Sequence, residues 1–253
     1  MTKDRKTRDI QVCCESFRDV VAACEGGAGR IELCSALDVG GLTPSFGLVS
    51  LVTQMFPELE ISVLIRPRPG NFVYSRDELE QMERDIAECR RLEVDGVVVG
   101  ALTATGDISK SACSRLVKAA LDDEFFPPVD FVTFHRAFDV CRKPERALET
   151  LIELGFDRVL TSGQRATALE GAANIAGYIR QAAGRITIMP GCGITPANIA
   201  EIEAFTGANI FHASARGEED IDSKVYTNPH VDFGENRPVR HTSAEIVQQL
   251  TRL

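Results

Sequence analysis

The feature that most restricts what this chain can fold into is a short signature in which a helix end turns directly into a strand. It reads Gly27-Ala28-Gly29-Arg30-Ile31, then Val94-Asp95-Gly96-Val97, then Gly155-Phe156-Asp157-Arg158-Val159, and last Gly207-Ala208-Asn209-Ile210. The copies recur at intervals of roughly 50–70 residues, the length of about two βα units. They precede the second, fourth, sixth and eighth of eight strand candidates: residues 10–16, 30–35, 61–67, 96–100, 129–135, 158–162, 186–190 and 209–215. Helical periodicity fills the intervals, as in Phe46, Leu48, Val49, Leu51, Val52 and Met55. Start signals stand where helices should open. Thr43-Pro44 offers an N-cap and a first-turn proline, Ser75-Arg76-Asp77-Glu78 and Thr167-Ala168-Leu169-Glu170 read as capping boxes, and Thr195-Pro196 and Thr242 open the last two helices.

Regular βα alternation gives a parallel sheet, and eight units in 253 residues fit a single-domain α/β fold, the closed (β/α)8 barrel. A doubly wound open sheet is the competing arrangement, but no Gly-x-Gly-x-x-Gly follows the first strand. Residues 1–9 read as an exposed tail and residues 10–253 as the barrel, with a long polar loop at about 216–240 and a C-terminal helix. A loop of that length without periodicity is expected to be mobile or to act as a lid.

Composition narrows the partners. A net charge of −9 disfavours nucleic acid and anionic membrane surfaces, and no apolar run is long enough to cross a bilayer. The charged start leads into no apolar signal core, so the expected location is cytoplasmic. Eight cysteines (13, 14, 24, 34, 89, 113, 141 and 192) occur without a Cys-x-x-Cys spacing, and most are expected to be reduced, buried and small-apolar in role.

In such a barrel the active face lies at the carboxyl ends of the strands. Strand alternation puts Gln11, Cys13 and Glu15 on one face of the first strand, and Glu32 and Cys34 on one face of the second. Neighbouring strands allow Cys13 and Cys34 to face each other, and two soft sulfurs suit Cu(I) in low coordination; the competing reading is two core-filling thiols. His135 and His212 fall at strand ends, where with Glu32 or Glu15 they can form a general acid/base pair; the alternative is backbone hydrogen bonding in the barrel mouth. Arg66, Arg68 and Arg136, with Gly191 and Gly193 ahead of the helix at Thr195, make a candidate anion site, against a role in loop salt bridges. No His-Glu-x-x-His, Gly-x-Ser-x-Gly, P-loop or EF-hand pattern occurs.

Several of these runs carry a family resemblance. Arg30-Ile31-Glu32-Leu33-Cys34-Ser35-Ala36-Leu37 with Gly40-Gly41-Leu42-Thr43-Pro44-Ser45 resembles the CutC family, named for copper homeostasis. So do Ile65-Arg66-Pro67-Arg68, Thr133-Phe134-His135-Arg136-Ala137-Phe138-Asp139, Arg158-Val159-Leu160-Thr161-Ser162-Gly163 and His212-Ala213-Ser214-Ala215. The resemblance implies a (β/α)8 barrel, a cytoplasmic homo-oligomer (dimer or tetramer), and a role in copper uptake, storage or delivery with copper as Cu(I). The cysteines proposed as copper ligands in the family match Cys13 and Cys34. Gln11 stands where the family usually carries a glutamate. The alternative function is an enzyme acting on a small anionic or phosphorylated compound at the strand-end face, using Glu32, His135 and His212 for protons and the arginines for the anion.

Overall fold

A computed structural model describes residues 8–122, 125–218, 230 and 240–252. Eight strands alternate with helices as the periodicity requires: β1 Asp9–Cys14, α1 Phe17–Glu25, β2 Arg30–Leu33, α2 Phe46–Met55, β3 Glu60–Leu64, α3 Arg76–Arg91, β4 Gly96–Val99, α4 Lys110–Leu121, β5 Phe131–Phe134, α5 Pro144–Glu153, β6 Arg158–Thr161, α6 Ala172–Ala182, β7 Thr187–Pro190, α7 Ile199–Thr206 and β8 Ile210–Ala213. All pairings among them are parallel, in the order β7-β6-β5-β4-β3-β2-β1-β8. β8 thus returns to β1, and β7 comes alongside β8. The sheet is a nearly closed (β/α)8 barrel, and the open-sheet alternative is set aside.

Alternation along each strand sorts the side chains into two compartments. Val12, Ile31, Val63, Val97, Val132, Val159, Ile188 and Phe211 belong to one large core shared with the helices. The opposite parity forms two small clusters within the barrel: Cys13, Cys34, Leu64 and Val98 in one, Leu160, Met189 and Ile210 in the other. A polar pair sits in the same interior, where the Gln11 amide donates to Ser62 Oγ (3.0 Å) and Ser62 Oγ donates to the Ile31 carbonyl (3.0 Å). Gln11 is fully buried and neutral, with its amide nitrogen paired and its Oε1 without a partner, at a place where a carboxylate would be deeply buried.

Helix starts differ from the sequence expectation at four places, three of them where contacts from elsewhere in the fold intervene. Ser45, not Thr43, caps α2, because Thr43 is bound to the end of β3: its N–H donates to the Arg66 carbonyl and its hydroxyl accepts from Arg66 N. Thr167 Oγ1 does accept from Glu170 N, but α6 begins only at Ala172. Gly171 lies so close to the Ser162 carbonyl that a Cβ there would approach it to 1.9 Å, and the chain must pass that point before it can coil. Asn198 precedes α7 in place of Thr195-Pro196, with Asn198 Oδ1 accepting from Thr195 N. Thr242 N donates to Asp19 Oδ1, leaving Ser243 to cap the final helix.

That helix is α8, Ala244–Thr251. Before it, β9 (Arg216–Glu218) and β10 (Arg240–Thr242) pair antiparallel, so the two ends of the long polar stretch are brought together. Residues 219–229 and 231–239 of the expected lid, and residues 1–7 of the expected tail, lie outside the described residues. Asp9 is already in β1, and Arg8 N donates to the Thr251 carbonyl. No helix among the described residues is long and apolar enough to cross a membrane.

Candidate functional site

At the carboxyl ends of the strands the barrel opens into a cavity of about 710 Å3. This is within the range of about 300–1,000 Å3 usual for small-molecule sites. Cys13, Glu32, Arg66, His135, Arg136, Gly193 and His212 all border it. Cys34, Arg68 and Gly191 do not.

The two cysteines share one small apolar cluster, though in unequal positions, and the Cys34 thiol donates to the Cys14 carbonyl (3.7 Å). Cys13 pairs in register with Glu32, and one further residue along, Cys34 N donates to the Cys14 carbonyl. Cys13 borders the cavity, while Cys34 is fully buried behind it with Leu64 and Val98. Burial first, and then the Glu32 charge, push the Cys13 thiol up to about 12. Burial, then Cys13 and Glu32, push Cys34 well above the ordinary thiol range. Both sulfurs hold their protons at neutral pH. They are soft donors in an apolar wall, which fits Cu(I) by donor type, and a metal must displace two protons to use them. Among the described residues no group of three or more His, Cys, Asp or Glu side chains is gathered as a metal site.

Glu32 and His212 reach one another from strands on either side of β1. Glu32 Oε2 and His212 Nε2 stand 3.5 Å apart, and neither atom has a hydrogen-bond partner. His135 is built differently. It caps a 3-10 turn, Arg136–Val140, with Nδ1 accepting from Ala137 N at 3.2 Å. Burial, and then the nearby Arg66 charge, push its pKa down to about 3, so the ring is neutral. With Nδ1 an acceptor, its proton is assigned to Nε2, which has no partner. Gly100, just past β4, makes room for the ring: a Cβ there would sit 2.5 Å from His135 Cε1 and Nδ1.

The arginines divide into three roles. Arg66, 5% exposed, donates from Nη1 to the Val39 and Gly41 carbonyls (3.0 and 2.8 Å) and from Nη2 to the Gly70 carbonyl (3.0 Å). Its Nε makes no hydrogen bond within ordinary limits, and the same guanidinium acts on the buried Tyr74 hydroxyl. The Gly40-Gly41 loop wraps this guanidinium with positive φ at both glycines (89° and 83°), and a Cβ on Gly41 would lie 2.7 Å from Leu64. Two motifs distant in sequence, Gly40-Gly41 and Arg66-Pro67-Arg68, are thus one device. Arg68 turns the other way, pairing with Glu78 and donating to the Asn71 and Val73 carbonyls. Arg136 sits at the rim, 45% exposed, and donates to Asp139 Oδ2 (2.8 Å). Gly191 N donates to the Thr161 carbonyl, and packing requires the glycine, because a Cβ at this position would lie 2.5 Å from Leu160. Gly193 and Cys192 both have positive φ (76° and 75°) and border the cavity, and the Cys192 thiol donates to the Ala166 carbonyl (3.2 Å).

Other contributors escaped the sequence reading. Asp139 accepts from Ser162 N (2.9 Å), Ser162 Oγ (3.0 Å), Thr161 Oγ1 and Gln164 N, organising the loop after β6. Its position three residues after Arg136 is a weak signal for this. Phe72 lies against both His135 (4.9 Å between ring centres) and the Arg66 guanidinium (5.1 Å), and nothing in its local sequence marks it. Glu15 is drawn out of the interior, accepting from Leu37 N and pairing with Arg216.

Comparison with known proteins places this chain in a family. The CutC family profile matches residues 8–217. A CutC family protein of Parabacteroides distasonis is 47% identical over 228 residues, covering 90% of each chain. One of Xanthomonas campestris is 50% identical over 208 residues, covering 82% of this chain and 83% of its own. The crystal structure of a Streptococcus agalactiae CutC, named for copper homeostasis, is 34% identical with a TM-score of 0.76, covering 82% of this chain and 98% of that one. The chain belongs to the CutC family.

Proposed function

We propose that the chain takes part in copper handling and carries Cu(I) as cargo between Cys13 and Cys34. The observation that carries this reading is the meeting of these two thiols in one apolar cluster, with Cys13 on the cavity and Cys34 directly behind it. The copper-homeostasis name of the Streptococcus agalactiae relative agrees with it. Soft sulfur in an apolar wall favours Cu(I) over harder cations, and a two-coordinate ion needs no further ligand. The cavity is the route by which a donor could reach Cys13.

The thiol protons make binding conditional. Each ligand must be deprotonated, so affinity rises by as much as about tenfold per pH unit for each thiol displaced. The test is a Cu(I) titration against a competing chelator under anaerobic conditions, at pH 6.5 and 8, on the intact chain and on Cys13→Ala/Cys34→Ala. One equivalent bound by the intact chain, tighter at the higher pH and absent from the double variant, is the expected result. Equal binding by the double variant refutes the assignment, whichever other cysteine then takes the metal.

A further inference from the structure

Among the described residues, eight buried side-chain atoms have no hydrogen-bond partner, and four of them belong to residues around the same cavity: Glu32 Oε2, Arg66 Nε, His135 Nε2 and His212 Nε2. Buried polar groups are almost always paired, so such a concentration calls for an explanation. A Cu(I) ion between two thiolates uses none of them. They also fall into two chemically distinct sets. Arg66 Nε and His135 Nε2 are donors, and both side chains lie against Phe72. Glu32 and His212 supply a carboxylate and an imidazole 3.5 Å apart. Hydrogen-bond donors and a base bordering one cavity are what a reaction needs when negative charge builds on an oxygen while a proton leaves a neighbouring atom.

We propose that this mouth is a proton-transfer site for a small carbonyl compound with an acidic α-hydrogen, in which Glu32 with His212 moves the proton and His135 Nε2 with Arg66 Nε holds the carbonyl oxygen. Glu32 takes the α-hydrogen as a proton. The C–H electron pair becomes the new C=C bond, and the carbonyl π pair moves to oxygen, giving an enolate. Returning the proton to that carbon completes the cycle, with exchange or inversion there. Where the α-carbon itself carries a hydroxyl the intermediate is an enediolate, and returning the proton to the former carbonyl carbon, with the hydroxyl proton passed to the old carbonyl oxygen, gives isomerisation. Nothing is oxidised or reduced overall. A neutral imidazole is the appropriate donor here, since it polarises the carbonyl without surrendering its proton outright. The His135 environment keeps it in that form, and Ala137 N fixes which nitrogen donates. Leu37, Leu64, Leu160 and Ile194 complete the walls, and a low-dielectric lining strengthens each of these interactions.

Neither Cys13 nor Cys34 enters this chemistry, so it stands or falls apart from the copper reading. The test is hydrogen exchange in D2O on the full chain with a Cu(I) chelator present. Pyruvate, dihydroxyacetone phosphate and ribulose 5-phosphate are the probes, and loss of their α-hydrogen signals is followed by proton NMR. Exchange of at least one well above the buffer rate is expected, falling by about 10²–10⁴-fold in Glu32→Gln. His135→Phe should lose about 10²-fold or more, and His135→Gln, which retains an N–H donor, should lose less. Oxalate, a planar enolate mimic, should shift the His135 Nε2 resonance in 15N-labelled protein, a readout independent of turnover. No exchange with any of the three probes overturns the proposal, as does exchange that survives in a folded Glu32→Gln protein.

Discussion

Replacing Arg66 with methionine tests whether this arginine chiefly builds the mouth or chiefly attracts ligands to it. Methionine keeps much of the stem's volume and removes the guanidinium. Three donor contacts to backbone carbonyls are lost, to Val39, Gly41 and Gly70, in two different loops. Hydrogen bonds involving a charged partner contribute about 1.5–3 kcal/mol each. Simple addition would give roughly 5–9 kcal/mol, which overstates the effect because the three share one side chain and the loops can relax toward water. Loss of the Phe72 contact adds about 0.5–2 kcal/mol, and removing a buried charge returns part of its desolvation cost. The expected net destabilisation is about 3–4 kcal/mol, at the upper end for single substitutions. Urea unfolding followed by circular dichroism measures it, as a lower midpoint with an unchanged slope. Arg66→Lys should recover less than half, since an ammonium cannot span the two loops as the planar fork does. A loss under about 1 kcal/mol for Arg66→Met would refute the reading that Arg66 holds the two loops together and return it to the role of an anion-gripping side chain.

Other outcomes follow from the same geometry. His135 should show no imidazole titration between pH 5 and 8 in 15N NMR, because its folded pKa lies near 3. Its linkage sign is definite: between about 3 and the unfolded value near 6.5 only the unfolded chain binds the proton, so stability falls as pH drops through that window, by at most about 1.4 kcal/mol per pH unit from this group. His135→Gln should flatten that slope, and an unaltered slope would show the ring is not the group responsible. Gly100→Ala drives a methyl to 2.5 Å from the His135 ring and should destabilise the fold by about 1–3 kcal/mol while displacing the His135 resonances. Asp139→Asn keeps the shape but removes the charge that Arg136 and the Ser162 and Gln164 amides converge on, and should cost about 2–3 kcal/mol in thermal or urea unfolding; a neutral result would mean the β6 loop is held by other contacts.

Gly40-Gly41 and Arg66 show why some of the site could be read along the chain and some could not. Positive φ at both glycines is a local demand, and a Gly-Gly pair advertises it. What the loop encloses is not local, since the guanidinium arrives from another βα unit. Arg66 and Arg68 are two residues apart and look alike in sequence, yet one is sealed between loops and the other joins Glu78 on α3. Strand parity gives both the same face, and only the path of the chain after β3 separates them.

The sequence alone determined the eight-fold βα rhythm, the parallel barrel that follows from it, and the sharing of one strand face by Glu32 and Cys34. All of these rest on periodicity within a few residues: two along a strand, 3.6 along a helix, with caps and glycines as punctuation. Tertiary structure decided the rest. It set the starts of α2, α6, α7 and α8, the pairing of β9 with β10 at the ends of the polar stretch, the proton position on His135, and the approach of Glu32 to His212 across β1. Apart from the His135 and Asn198 contacts, which close over two and three residues, these depend on atoms brought together from elsewhere in the chain, and the energies of burial and hydrogen bonding that fix them exist only after the barrel has formed.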